Sequence, residues 1–177
     1  MIETERLTLR GWRAEDVESF HAIAQDAEVM RHIGPPETRR ESRRLWRRMA
    51  AAQARYGHCF WAVERRADRA FIGLCGLLPL PRPVRGEVEI GWRLGQAHWG
   101  KGYAHEAASA CLEWAWEHLD VPTIAAVTVP GNTRSRLLME RLGMSRVIGG
   151  DFDHPELDPG DPLRRHLLYR IARPTRG

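Results

Sequence analysis

A strand, a glycine-containing turn and a small-residue helix follow one another between residues 87 and 119, and this unit constrains the fold most strongly. Residues 87–94 alternate, with Glu87, Glu89, Gly91 and Arg93 on one face and apolar residues on the other. After the turn, alanines and other small or apolar residues recur at helical spacing. The apolar segment 123–129 completes a strand–helix–strand crossover, which places the turn at the carboxyl end of a parallel strand, where ligands of open α/β sheets bind.

The turn itself has the composition of a phosphate-binding loop. Two glycines, Gly100 and Gly102, lie one residue apart, and Lys101 between them is the single lysine of the chain. Glycines allow the backbone N–H groups to point inward, and the helix that follows adds the positive end of its dipole. The turn therefore predicts a cradle for a pyrophosphate. A Gly-x-Gly turn before a helix is also common as a plain tight connection, so the spacing alone leaves both interpretations open.

A second motif follows the segment 123–129. Asn132 is placed to cap a short amphipathic helix, and Gly143 stands where such a helix would end in a left-handed residue. The two motifs together resemble the GNAT superfamily of acyl-CoA-dependent N-acetyltransferases, whose turn reads Gln/Arg-x-x-Gly-x-Gly/Ala and whose next helix carries Asn-x-x-Ser/Ala. Trp99, Gly102 and Ala104 occupy the three turn positions here.

The tryptophan at the first turn position is similar to the RimJ/RimL-like branch, in which the turn usually reads Trp-Gly-x-Gly-Tyr-Ala. The segments 4–10, 89–94 and 165–170 also resemble that branch, whereas residues 30–58 match no motif of it. The resemblance implies one domain over residues 1–177, with an α/β fold. We expect a mixed sheet of about seven strands, helices on both faces, and a splayed central pair of parallel strands that admits the coenzyme.

Away from the crossover unit, we expect a strand near residues 2–10, helices through about residue 56, strands near 59–65 and 70–78, and a closing strand near 165–173. The resemblance also implies a set of residues that contact acetyl-CoA. They are Trp92, Arg93, Leu94, Trp99, Gly100, Lys101, Gly102, Tyr103, Ala104, Asn132 and Ser135.

The implied reaction transfers the acetyl group of acetyl-CoA to a primary amine by direct attack in a ternary complex. Backbone N–H groups at a bulged strand end, residues 92–94, would polarise the thioester carbonyl. Glu89 would remove the amine proton, directly or through a water, with Glu87 in reserve; for both, a salt bridge or an exposed strand face is the alternative.

The leaving thiolate needs a hydrogen-bond donor or an acid. Many GNAT enzymes use a tyrosine at the position that Met139 occupies here, and methionine cannot donate a proton. Ser135 is therefore the candidate, although a hydroxyl at a helix start also commonly bonds to the backbone. The alternative function is a non-catalytic sensor or interaction module that binds acetyl-CoA. A Rossmann-type dinucleotide site is disfavoured because the third glycine is absent.

The charge, cysteine and histidine content of the chain limits the partners and cofactors that we expect. The net charge of +4 comes almost entirely from arginine, most densely in residues 39–55, which we interpret as a solvated basic helix face rather than a nucleic-acid contact. Cys59, Cys75 and Cys111 lack Cys-x-x-Cys spacing and are expected to be buried, and no histidine spacing predicts a metal site. No apolar run approaches the roughly 20 residues of a membrane span, and we expect a cytoplasmic protein.

The acceptor is left open. RimJ/RimL-like proteins acetylate N-terminal amines of ribosomal proteins, amino acids, polyamines and drug amines. The acidic segment 151–158 could face a cationic acceptor, although a solvated loop is the simpler interpretation. Homodimers are common in the branch, but no apolar stripe of this chain demonstrates one.

Overall fold

The computed structural model describes residues 1–80, 84 and 86–175, which form a mixed nine-stranded sheet flanked by helices. The strands are β1 (Ile2–Glu3), β2 (Leu7–Arg10), β3 (Phe60–Arg65), β4 (Ala70–Pro79), β5 (Val88–Leu94), β6 (Thr123–Thr128), β7 (Ser145–Arg146), β8 (Phe152–Asp153) and β9 (Arg165–Ala172). The sheet order is β1-β2-β3-β4-β5-β6-β9-β7, and β8 also pairs with β9. Among these described strands, β5 and β6 are the one parallel pair, and their other neighbours are antiparallel.

Helices cover both faces of the sheet, as predicted. They are α1 (Asp16–Gln25), α2 (Ala27–Met30), α3 (Arg39–Tyr56), α4 (Tyr103–His118) and α5 (Thr133–Arg141). The sulfur of Cys75 on β4 lies 3.9 Å from that of Cys111 on α4. The preceding residue, Leu74, packs instead with Phe20 and Ala24 of α1. Because consecutive strand residues point to opposite faces, α4 and α1 lie on opposite sides of the sheet.

The two parallel strands part soon after they meet. They pair at Val88 with Ile124 and at Glu89 with Ala125. Beyond that point, β5 continues against β4 as far as Leu94, while β6 continues against β9 as far as Thr128. The carboxyl-terminal halves of β5 and β6 therefore enclose a gap, which is the predicted splay of the central parallel pair.

The prediction of one strand over residues 2–10 is wrong. Ile2 pairs antiparallel with Leu9, and the Thr4 N–H donates to Leu7 O at 2.9 Å, so the segment is a tight hairpin. The carboxylate of Glu106 on α4 fixes this turn by accepting from Thr4 Oγ1 at 2.6 Å and from the Arg6 N–H at 2.8 Å. The two-residue strands β1, β7 and β8 raise the strand number above the predicted seven.

A buried ion network joins the hairpin to α1 and β3. The Arg10 guanidinium donates to Asp16 and Glu64, each at 2.8 Å, and all three residues are buried. The hydrogen bond from Arg10 to Asp16 is the main cause that raises the pKa of Arg10. Removing one member would leave a buried carboxylate without its partner, which is costly.

We therefore expect Arg10→Gln to lower the free energy of unfolding by about 3 kcal/mol. Urea denaturation measures this. The matched control is Arg39→Gln, which removes the same charge from an exposed pair with Glu18 at 2.5 Å. That control should cost less than about 1 kcal/mol. Equal losses in the two variants would contradict a structural role for the buried network.

Candidate active site

Some backbone N–H groups of β5 point into the gap between β5 and β6. Leu80 N–H donates to Glu87 O at 2.8 Å and Gly95 N–H donates to Ile72 O at 3.0 Å, so the odd-numbered residues of β5 bond to β4. The even-numbered residues point the other way, and pairing with β6 ends at Glu89. The N–H groups of Trp92 and Leu94 are therefore directed into the gap.

Two details of this strand end differ from the sequence prediction. The pairing of β4 with β5 runs without a break from Gly73↔Leu94 to Pro79↔Val88, so no bulge exposes the donors; the splay does. Arg93 also does not join Trp92 and Leu94 at the gap. By the same alternation its N–H faces β4, and its side chain donates to Glu37 at 2.6 Å.

The glycine turn has the geometry of an anion cradle. Gly100 and Gly102 adopt left-handed φ values of +71° and +82°, which favour glycine. Gly102 is the N-cap of α4 and supplies no side-chain cap, so the first N–H groups of the helix keep their hydrogen-bonding capacity. Trp99 Nε1 donates to Leu94 O at 2.8 Å and fixes the turn to the end of β5. Lys101 is exposed, while Tyr103 and Ala104 are partly buried at the helix start.

The second motif faces the same gap from the other side. Asn132 caps α5, accepting from the Ser135 N–H at 3.2 Å. The Ser135 hydroxyl accepts from Trp92 Nε1 at 3.3 Å, so it contacts β5 rather than the backbone of its own helix. This bond leaves the hydroxyl hydrogen of Ser135 available for donation. Met139, at the tyrosine position, is buried in the core.

Glu89 lies on β5 where the splay begins, on the face that also carries Arg93. Burial raises the pKa of Glu89 from 4.5 to about 7, and the positive charge of Arg48 opposes that rise. Glu87 differs from Glu89, because the Arg170 guanidinium on β9 donates hydrogen bonds to both carboxylate oxygens of Glu87, at 2.6 and 2.8 Å. Of the two strand carboxylates, Glu89 has the protonation equilibrium of a base that works near neutral pH.

Two arginines of this region were not found by sequence reasoning. The Arg134 guanidinium lies 4.5 Å from the Trp99 ring centroid, where it joins α5 to the glycine turn, and it pairs with Glu28 of α2 at 3.1 Å. Arg48 of α3 is the cation that acts on Glu89. The sequence could have indicated Arg134, because it lies two residues after Asn132 in the second motif. Nothing local to Arg48 distinguishes it from the other arginines of α3.

The remaining sequence candidates lie outside this gap. Cys59, Cys75 and Cys111 are buried free thiols, as predicted, and burial raises the pKa of Cys59 to about 12. Asp153 pairs with Arg164 and Arg165, each at 3.3 Å, and Asp151 pairs with Arg146. Across the described residues, no cluster of three or more histidine, cysteine or acidic side chains is arranged to hold a metal ion. The described helices also include none that is both long and apolar enough to cross a bilayer.

The ionisation of Glu89 can be measured directly. We expect its carboxyl carbon to titrate with a midpoint near 7 in a ¹³C NMR experiment, against 4.5 for an ordinary glutamate. Arg48→Gln should raise the midpoint further, because it removes the charge that stabilises the ionised form. Arg47→Gln is the matched control and should leave it unchanged. A midpoint below 5 in the unsubstituted protein would contradict this environment for Glu89.

Comparisons with known proteins identify the family and agree with the fold. The uncharacterized N-acetyltransferase p20 of Bacillus licheniformis is 32% identical over 148 residues, covering 82% of each chain. An acetyltransferase from Agrobacterium tumefaciens is 29% identical, with a TM-score of 0.77 over 96% of this chain and 92% of its own. A GNAT-family acetyltransferase from Bacillus anthracis is 26% identical, with a TM-score of 0.80 over 97% and 98%. Residues 6–145 match the acetyltransferase (GNAT) domain, and the chain belongs to that family of N-acetyltransferases.

Proposed function

We propose that this protein transfers the acetyl group of acetyl-CoA to a primary amine, with both substrates bound at once. One arrangement carries the proposal: β5 has the buried carboxylate of Glu89 where the splay begins, backbone donors directed into the gap beyond it, and Ser135 across the gap. Membership of the GNAT family supports the use of acetyl-CoA. A spermidine N-acetyltransferase of Vibrio cholerae that shares the fold, at 20% identity, has a structure with CoA and spermine.

The glycine turn and the gap would bind different parts of acetyl-CoA. In the proposal, the pyrophosphate is held by residues 99–104, where two left-handed glycines meet the start of α4. The pantetheine runs into the gap, where the N–H groups of Trp92 and Leu94 provide hydrogen-bond donors. Asn132 holds the start of α5 in place, and Arg134 adds a positive charge beside Trp99.

The chemical step follows from the charges that must move. The ammonium group of the acceptor loses a proton to Glu89, directly or through a water, and the neutral nitrogen attacks the thioester carbonyl. A backbone N–H of the β5 end stabilises the oxyanion as the C–N bond forms. The C–S bond then breaks, and the nitrogen, which became positively charged as the C–N bond formed, loses its second proton. The departing thiolate accepts a hydrogen bond from Ser135 and takes up a proton to become the free thiol, so one proton is taken up for the second proton released. The three cysteines are buried, and burial raises the pKa of Cys59 and of Cys111, which disfavours a covalent acetyl-cysteine intermediate.

A sensor that binds acetyl-CoA without transferring it would need the same turn and the same gap. It would have no need for a carboxylate whose pKa lies near neutral pH, and desolvating one has a cost that catalysis explains. We therefore favour the enzyme. RimL, a ribosomal L7/L12 protein acetyltransferase, has the same fold at 15% identity, so the RimJ/RimL-like assignment and a ribosomal acceptor rest on the sequence motifs alone.

Release of free CoA thiol from acetyl-CoA tests the proposal across a panel of N-terminal peptides, amino acids, polyamines and aminoglycosides. We expect turnover with one class of amine, and Glu89→Gln should lower kcat by about 10²- to 10⁴-fold. The acetyl-CoA dissociation constant, measured by calorimetry, should stay within about twofold, because the group acts on the amine rather than on the coenzyme.

Glu87→Gln is the matched control, since it makes the same change two residues away on the same strand face, in a carboxylate that Arg170 already occupies. It should leave most of the activity. The kcat of the unsubstituted enzyme should also rise with pH through about 7, as Glu89 loses its proton. Full activity of Glu89→Gln, or a loss shared equally by Glu87→Gln, would refute Glu89 as the base.

A further inference from the structure

The face of β5 that carries Glu89 has an aromatic floor. Glu89, Gly91 and Arg93 share this face by alternation, and the ring of Phe60 lies against Gly91. A Cβ on Gly91 would come within 2.9 Å of the Phe60 ring, so only glycine lets the ring lie this close to the strand. The surface between Glu89 and Arg93 is therefore flat and apolar, and it suits the carbon atoms next to an amine.

Helix α3 packs into the same cluster of side chains as the Phe60 ring. Its inward residues Ser42, Met49 and Ala52 are buried, and Leu45 is partly buried in the same cluster of side chains as Phe60. Arg48 follows Leu45 by three residues and is therefore its neighbour on the helix surface. Burial is the main cause that lowers the pKa of Arg48. The charges of Glu89, Arg93 and Glu37 also act on its guanidinium, which therefore lies near them although part of the Arg48 side chain is exposed.

Arg93 and Arg48, the two cations near Glu89, differ in burial and in ion pairing. Arg93 is largely buried and pairs with Glu37 at 2.6 Å, and its guanidinium lies 5.3 Å from the Phe20 ring centroid. Arg48 is exposed and makes no ion pair with any residue that the structure describes. Arg44, one helical turn before it, adds a further positive charge. Among the residues that the structure describes, the acceptor side of Glu89 thus has more positive than negative charge.

We infer that Arg48 binds a carboxylate of the acceptor, and that the acceptor is a small amine with an anionic group near the reacting nitrogen, as in an α-amino acid. The inference rests on the proposed function and names its substrate class. The amine would face Glu89, its carbon atoms would contact Phe60, and its carboxylate would pair with Arg48. An arginine is suited to this because its planar fork of N–H donors matches a carboxylate.

The same charges argue against a polyamine. A second ammonium group on the acceptor would have to approach Arg48 and Arg44, and like charges brought together at a binding site select against that partner. Glu37 offsets them only in part, because it already pairs with Arg93 at 2.6 Å. Part of the Arg48 side chain is exposed, so a ligand that enters from solvent can reach it.

The test compares matched acceptors. For several L-amino acids and their carboxamides, kcat/KM is measured for acetyl transfer by the unsubstituted enzyme, by Arg48→Gln and by Arg47→Gln. The quantity of interest is the ratio of kcat/KM for the acid to that for its amide. The acid and its amide differ in amine basicity, but that difference is the same for all three enzymes and cancels when their ratios are compared. A change in the pKa of Glu89 affects both acceptors of one enzyme alike and cancels within the ratio. The change in the ratio between enzymes therefore isolates recognition of the carboxylate.

We expect Arg48→Gln to lower the acid-to-amide ratio about tenfold or more, the range for a lost hydrogen bond to a charged group. Arg47→Gln removes the same charge one residue away, on an exposed side chain that does not act on Glu89, and should keep the ratio within about twofold. The dissociation constant of acetyl-CoA should be unchanged in both variants.

Other outcomes separate the two hypotheses. Transfer that occurs with an acid-to-amide ratio unaffected by Arg48→Gln would overturn the role of Arg48 while leaving the proposed function intact. Turnover of polyamines in preference to amino acids would do the same. Tight binding of acetyl-CoA with no transfer to any amine would overturn the proposed function, and the inference about the acceptor with it.

Discussion

The parting of β5 from β6 is the constraint on which the rest of the site depends. Parallel strands that stayed paired would use the backbone donors of both edges in the ladder. Here the ladder between them ends at Glu89 and Ala125, and the N–H groups of Trp92 and Leu94 beyond that point have no partner on β6. The separation is possible because each strand keeps an antiparallel partner on its outer edge, so neither loses its place in the sheet.

Contacts around the gap hold its two sides in a fixed relation. On one side, the alanines of α4 allow that helix to lie close to the sheet, and Glu106 ties the helix start to the amino-terminal hairpin. On the other side, Asn132 organises the start of α5. The Trp92 indole then reaches from β5 to Ser135 and connects the two sides. A site fixed in this way loses little entropy when a coenzyme binds, which favours affinity.

The sequence predicted those parts of the structure that depend on local pattern. The alternation in 87–94, the glycine spacing and the Asn132 cap are properties of neighbouring residues, and the elements they predicted are present. The errors involve partners distant in the chain. The hairpin at residues 2–10 depends on Glu106, about a hundred residues away, and the orientation of Arg93 depends on which strand takes its N–H.

Arg48 illustrates the same limit. Seven arginines occur in α3, and their spacing describes a basic helix without showing which one approaches a carboxylate of the sheet. Only the packing of Leu45 and Met49 fixes the rotation of the helix and brings Arg48 toward Glu89. The pKa of Glu89 is likewise a tertiary property, because burial by several elements raises it. Sequence pattern selected Glu89 as the candidate base, and the tertiary fold determines how far burial raises its pKa.

The two faces of β5 thus suit different substrates. The apolar face and the gap beside it are suited to acetyl-CoA, and the face with Glu89, Phe60 and Arg48 is suited to the acceptor. We propose that the coenzyme enters where β5 leaves β6, and a ¹⁵N chemical-shift titration with acetyl-CoA measures this. The largest changes are expected at the amides of Trp92, Leu94, Gly100 and Gly102 and at the Trp92 indole. Changes confined to β9 and the segment 149–162 would contradict entry at that gap.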